Sequence, residues 1–153
     1  MRKAISGDRG PATKGIKAQL RRIYEEMFNQ GNLAIADELI APDFLNHAAP
    51  PGSNRGPESM RQLITMLSTA FPDMHYTVEE LVAEGDTVVT RVTVSGTHRG
   101  PLQGIPPTGR SIRQAQMHFI RFRDGKVVEH RAVRDDLGLM RQLGVIPAPA
   151  DAR

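Results

Sequence analysis

From Gly15 onward, Leu20, Ile23, Tyr24, Met27 and Phe28 recur at the three- and four-residue spacing of one helix face. Gly31 follows where a helix-ending glycine belongs, and Asn32 is placed to cap a second short helix through Ile40, before Pro42. Gly56-Pro57 opens a third helix, proline being favoured in a first turn; its apolar stripe is Met60, Leu63, Ile64 and Leu67, and it ends before Phe71-Pro72. The period then changes. His75 to Glu84 reads as a strand, Glu84-Gly85-Asp86 as a tight turn, and Thr87 to His98 sets Val88, Val92 and Val94 among threonines in β-type alternation. After a Gly/Pro-rich loop from Gly100 to Gly109, Ile112 to Arg123 predicts a third strand, Asp124-Gly125 a hairpin turn, and Lys126 to Arg134 a fourth strand. A last short helix begins near Asp136 and stops at Gly144, with Pro147 beyond. Helices followed by an antiparallel meander make an α+β order. Residues 1–14 read as a flexible tail, 15–147 as one domain and 148–153 as a flexible C-terminus.

A chain of 153 residues, 39% hydrophobic and 24% charged, matches a soluble globular domain able to bury a continuous core. It has no cysteine, which excludes disulfides and thiolate metal sites and suits a reducing cytoplasm. The basic N-terminus carries no apolar run of signal-peptide length, and no stretch of eighteen apolar residues occurs, so no membrane association is expected. The pI of 9.7 overstates a net charge of +3, part of whose excess lies in Arg2, Lys3, Arg9, Lys14 and Lys17. With 5% aromatics and mixed charges throughout, a nucleic-acid partner is not expected. His47, His75, His98, His118 and His130 form no metal-ligand motif, and Pro101, Pro106 and Pro107 remove the backbone donors a phosphate cradle needs. The expectation is no metal and no cofactor.

Three stretches are similar, in order and spacing, to the SnoaL-like polyketide cyclases, also called ester cyclases. They are FNQGNLAIADELIAPDFLNHAAP, VSGTHRGPLQGIPPTGRSI and FRDGKVVEHRAVRDDLGLMRQLGVIP, and the resemblance spans about residues 17–147. It implies a cone-shaped α+β fold of the ketosteroid-isomerase-like superfamily, with a curved antiparallel sheet and N-terminal helices closing a pocket. The implied activity is a cofactor-independent intramolecular aldol condensation closing a ring of an aromatic polyketide. Because one fold hosts many activities, the site must carry the functional argument.

The resemblance places Asp135 at the position of the acid/base aspartate. A carboxylate in a partly apolar pocket can both take a proton from carbon and return one to oxygen, since burial raises its pKa. Strand parity puts Glu129, Arg131, Val133 and Asp135 on one face. Asp135 reads equally well as the N-cap of the last helix, with Asp136 a competing cap. His98 also matches a family position and could bond a substrate carbonyl or enolate; the plainer reading is a strand-end histidine satisfied by backbone. His118 shares a face with Gln114, Gln116, Ile120 and Phe122, a mixture suited to a pocket wall, and relatives often carry aspartate at His118. Asn46 and His47 follow the second helix, where relatives line the cavity mouth, and a solvated turn is the alternative. Tyr24 lies on an apolar stripe, so core packing competes with a hydroxyl reaching the cavity. Relatives usually have tryptophan at Arg131. Facing the cavity, Arg131 would have to pair with a carboxylate, Asp135 being available, or bind an anionic substrate; such a pair would lower the carboxylate pKa.

Two further functions compete with the cyclase. An epoxide-hydrolase-like site could position water with Arg131, Asp135 and Glu129, and a binding module could keep the cone without chemistry. Met117, Phe119 and Arg121 form an outward sheet face suited to a homodimer.

Overall fold

A computed structural model describes residues 11–150; the parts of the expected tails at 1–10 and 151–153 lie outside them. Helix α1 (Pro11–Arg22) starts within the segment read as tail and continues into a wider, π-helical stretch, Ile23–Asn29. Leu20, Ile23, Tyr24 and Met27 are the buried face anticipated by their spacing, and Gly31, at φ +70°, lets the chain turn away. A single 3-10 turn leads into α2 (Ala36–Leu39).

The expected second helix is cut short, because Ile40–Asn46 forms a strand, β1. Pro42 has no N–H to continue a helix, while an edge strand tolerates it. β1 is such an edge and pairs in parallel with β5. Helix α3 (Gly56–Ala70) carries Pro57 in its first turn and buries Met60 and Ile64. Strands β2 (His75–Glu84), β3 (Thr87–Thr97), β4 (Ser111–Arg123) and β5 (Lys126–Arg134) form the antiparallel meander, and the sheet order is β1-β5-β4-β3-β2. The sheet is therefore mixed at one edge. Helix α4 (Asp136–Gln142) lies back against β4, buries Leu139, and ties Gln142 to the Arg113 backbone.

Along β4 burial alternates without a break, even positions inward and odd positions outward. The Asp124-Gly125 hairpin begins by pairing Arg123 with Lys126 and Phe122 with Val127. Extended unchanged, that register would set His118 opposite Arg131 and Gln114 opposite Asp135. Instead Arg121 pairs with Glu129, leaving Val128 as an extra residue in a β-bulge. One inserted residue reverses every later side chain. His130, Ala132 and Arg134 consequently join the inner face opposite Ile120, His118 and Gln116, and Glu129, Arg131 and Val133 point outward.

The loop after β3 is anchored where Arg99 and Gly100 N–H groups both donate to the Ala70 carbonyl, at 2.9 and 3.2 Å. A Cβ on Gly100 would stand 2.1 Å from the Thr69 carbonyl oxygen, so the backbones would have to separate. Gly100→Ala is expected to lower stability by about 1–3 kcal/mol, as overpacking does; a thermal melt indistinguishable from wild type contradicts this close approach.

Candidate active site

A cavity of about 540 Å³ lies between α3, the inner face of the sheet and α4. Leu63, Met66, Leu67, Phe71, Val94 and Leu139 supply apolar wall, and Asn46, Gln114, Gln116, Arg134 and Asp136 supply the polar side. A tighter crevice of about 40 Å³, sharing Leu63, Tyr76 and Arg134 with the cavity, is lined by Tyr24, His118 and His130.

The polar groups form one continuous chain. The Asp136 carboxylate accepts from Gln114 Nε2 (3.1 Å), Gln114 Oε1 accepts from Gln116 Nε2 (2.7 Å), and Gln116 Oε1 accepts from His118 Nε2 (2.9 Å). His118 Nδ1 and His130 Nε2 are 2.7 Å apart, and His130 Nδ1 donates to Asn46 Oδ1 at 2.7 Å. The Ala48 N–H also donates to Asn46 Oδ1, at 3.0 Å, which fixes that atom as an acceptor. Both ends of the chain are thus acceptors. Each neutral imidazole and each amide supplies one hydrogen, so the five links share four hydrogens when Asp136 is ionised. The chain is one proton short. With the donors set as above, the gap falls between the two imidazoles; turning over the two amides and moving the His118 proton from Nε2 to Nδ1 shifts it to Asp136.

Burial, and after it the neighbouring His130 and the Arg134 cation, hold the His118 pKa at about 2. Burial, then Arg134 and His47, hold His130 at about 3. Both imidazoles are neutral at neutral pH. Burial also raises the Tyr24 phenol far above its usual range and the Tyr76 phenol to about 12. Tyr24 packs against Tyr76, Phe28 and His118, with centroids 5.7–6.1 Å apart.

The expected site residues separate. Asn46 and Gln116 line the large cavity, and Tyr24 and His118 line the crevice. His47 turns away and meets Glu129 at 2.9 Å. His98 lies outside the lining of both spaces: fully buried against Phe71, it accepts at Nδ1 from the Thr108 N–H (3.2 Å) and ties the two ends of the 98–109 loop together. Arg131 is on the outer face, paired with Glu129, whose carboxylate is held below its usual range by the His47 hydrogen bond first and then by Arg131 and Arg121. The Arg131–Asp135 pairing is not formed, and with it goes the arrangement that suggested epoxide opening.

Asp135 is exposed, and its Oδ1 accepts from the Gly138 N–H at 2.9 Å as the N-cap of α4. The carboxylate at the cavity is Asp136. His130, Arg134 and Asp136 were missed as a group because the bulge at Val128 reverses the strand faces; the Gln114-x-Gln116-x-His118 alternation was the readable part of the chain. Among the described residues no cluster of His, Asp or Glu could hold a metal ion.

A curved, unclosed sheet that holds a half-apolar cavity against its helices defines an α+β cone. The chain belongs to the SnoaL-like polyketide cyclase family, whose model matches residues 18–143, and it is an enzyme of that type. It is 37% identical over 119 residues to the nogalonic acid methyl ester cyclase of Streptomyces nogalater, covering 76% of this chain and 89% of that enzyme. To the aklanonic acid methyl ester cyclase DnrD of Streptomyces peucetius it is 37% identical over 128 residues, covering 82% and 88%. The solved structure of TsrD from Streptomyces laurentii superposes with a TM-score of 0.80 at 31% identity, covering 87% of this chain and 97% of that one.

Proposed function

We propose that this enzyme closes a ring of a polyketide acid ester by intramolecular aldol condensation, with Asp136, rather than Asp135, exchanging the proton. The observation that carries the reading is the hydrogen-bond chain that runs from Asn46 through His130, His118, Gln116 and Gln114 and ends on the Asp136 carboxylate at the cavity. The carbon between two carbonyls of the substrate gives its proton to Asp136, and the carbanion forms the new carbon–carbon bond to a ketone carbon. The π electrons of that ketone move to its oxygen, which takes the proton back. No atom is gained or lost, and no redox partner is needed. With the proton on Asp136, reversal of the Gln114 and Gln116 amides and a shift of the His118 proton from Nε2 to Nδ1 complete the chain back to Asn46, so the protonated acid is held in place until the alkoxide forms. The substrate class follows the relatives, whose names give nogalonic and aklanonic acid methyl esters as their substrates. The test is conversion of aklanonic acid methyl ester to a product of unchanged mass with a new carbon–carbon bond, seen by chromatography and NMR. No conversion across a panel of such esters contradicts the reading.

The cysteine-free chain suits a reducing compartment, and we place it in the cytoplasm. We also propose a homodimer through the outer sheet face. Met117 is 58% exposed, Phe119 41% and Val133 78%, side by side on β4 and β5, with Val89 beside them on β3. A contiguous apolar patch of this kind on a soluble protein is usually covered. Light scattering at micromolar concentration should give twice the chain mass for wild type and the single-chain mass for Met117→Lys/Phe119→Glu; a monomeric wild type contradicts the interface.

A further inference from the structure

The turn at the tip of the 98–109 loop departs from the chemistry that the Asp124-Gly125 hairpin keeps. Leu102 and Ile105 exchange both backbone hydrogen bonds, at 3.0 and 2.8 Å, so Gln103 and Gly104 make a two-residue turn and take φ of 47° and 82°. Glycine adopts positive φ freely, and a short aspartate or asparagine tolerates it by bonding nearby backbone, which is why such turns favour them. Glutamine has neither property. Among the described residues, Gln103 and Asp124 are the non-glycine residues at positive φ, and only Asp124 is of the tolerant kind. Gln103 is exposed and also lines the large cavity, so it stands at the cavity mouth. The side chains of Asn46, Gln114 and Gln116 are engaged in the chain to Asp136, whereas the Gln103 amide makes no hydrogen bond among the described residues. Gln62, likewise unpartnered at the cavity, stands on ordinary helical backbone in α3. Strain of the kind seen at Gln103 clusters where a side chain is aimed at a ligand.

We infer that Gln103 is a substrate-binding residue: its amide N–H donates to a ring ketone oxygen of the polyketide ester at the cavity mouth. The inference rests on the cyclase reading for the kind of molecule bound, and adds to it a residue that holds that molecule by a part that does not react. Asp136 takes the reacting carbon, and the apolar body lies along the α3 wall. Asparagine at the same position would suit the turn better but reach one methylene less far. The turn alone therefore favours asparagine, and the contact favours glutamine.

The test sets binding against stability, without turnover. Methyl anthraquinone-2-carboxylate, which has ring ketones and an ester but no acidic carbon between carbonyls, is titrated into the full chain by calorimetry, and each variant is melted in parallel. Gln103→Ala keeps a Cβ at positive φ and should melt with wild type. Gln103→Asn relieves the strain and should melt about 2–4 °C higher. Both should bind the probe about three- to tenfold more weakly, the loss of one neutral hydrogen bond. A residue that served only the turn would not give asparagine a firmer fold and a weaker grip together. Wild-type affinity in Gln103→Ala overturns the proposal, because the amide then makes no contact. Wild-type affinity in Gln103→Asn overturns it as well, because the longer side chain then gains nothing over the one the turn prefers. So does a Gln103→Asn melt no higher than wild type, or a wild type that does not bind the probe. Probe binding through Gln103 by a protein that cyclises no ester would sink the cyclase reading and leave this one standing. Ring closure with an unchanged KM in both variants would do the reverse.

Discussion

Asp136→Asn is expected to lower kcat for ring closure by roughly 10²–10⁴-fold, the usual contribution of a positioned acid/base group, with little change in KM. Asparagine keeps the shape and still bonds Gln114, so the cavity survives while its proton acceptor is gone. Asp135→Asn should keep wild-type turnover, since its carboxylate serves the Gly138 N–H at the start of α4 and does not line the cavity. Asp135→Ala should cost about 1 kcal/mol of stability for the lost cap, again with activity retained. Steady-state kinetics and a denaturant titration on the three variants decide the point. Turnover lost in the Asp135 variants and kept in Asp136→Asn would reverse the assignment.

Acid lability is the second large effect. Unfolded histidine titrates near 6.5, whereas burial holds His118 at about 2 and His130 at about 3 in the folded protein. Between those limits the unfolded chain binds more protons than the folded one, so stability rises with pH and is fully present above about 6.5. Each buried imidazole contributes a slope that grows to about 1.4 kcal/mol per pH unit as the pH falls below 6.5, so the pair removes roughly 3 kcal/mol on going from pH 6.5 to 5. Carboxylates whose pKa is lowered, such as Asp73 bonded by Thr97 and Asp43 beside Arg123, lose their contribution only at lower pH, below the ordinary carboxylate range. The window from 5 to 6.5 therefore isolates the histidines. Urea unfolding across it should show the loss in wild type and about half the slope in His118→Asn; a stability independent of pH over that range contradicts buried neutral imidazoles.

Periodicity carried most of the frame. Helix α3 has a clean apolar stripe after Gly56-Pro57, and β4 alternates over its whole length, so both were legible from spacing alone. The Asp124-Gly125 turn was legible because both residues must take positive φ, and they do, at 51° and 77°. What spacing could not show was an event at one residue. Val128 is an ordinary β-former, and nothing in its side chain announces a bulge. Yet that insertion exchanges Arg131 for Arg134 at the cavity and leaves Asp136 there while Asp135 caps a helix. Strand β1 was hidden for a different reason: its apolar residues Ile40, Ala41 and Phe44 follow no period of two, and the parallel partner that makes it a strand lies more than eighty residues away.

The most direct test of Asp136 as the proton acceptor separates proton removal from ring closure. A substrate analogue in which the acceptor ketone is replaced by methylene keeps its acidic carbon but cannot cyclise. In deuterated buffer, wild type and Asp135→Asn should wash deuterium into that carbon at rates far above buffer, as followed by proton NMR, and Asp136→Asn should not exceed buffer. Exchange that persists in Asp136→Asn and disappears in Asp135→Asn would contradict the account.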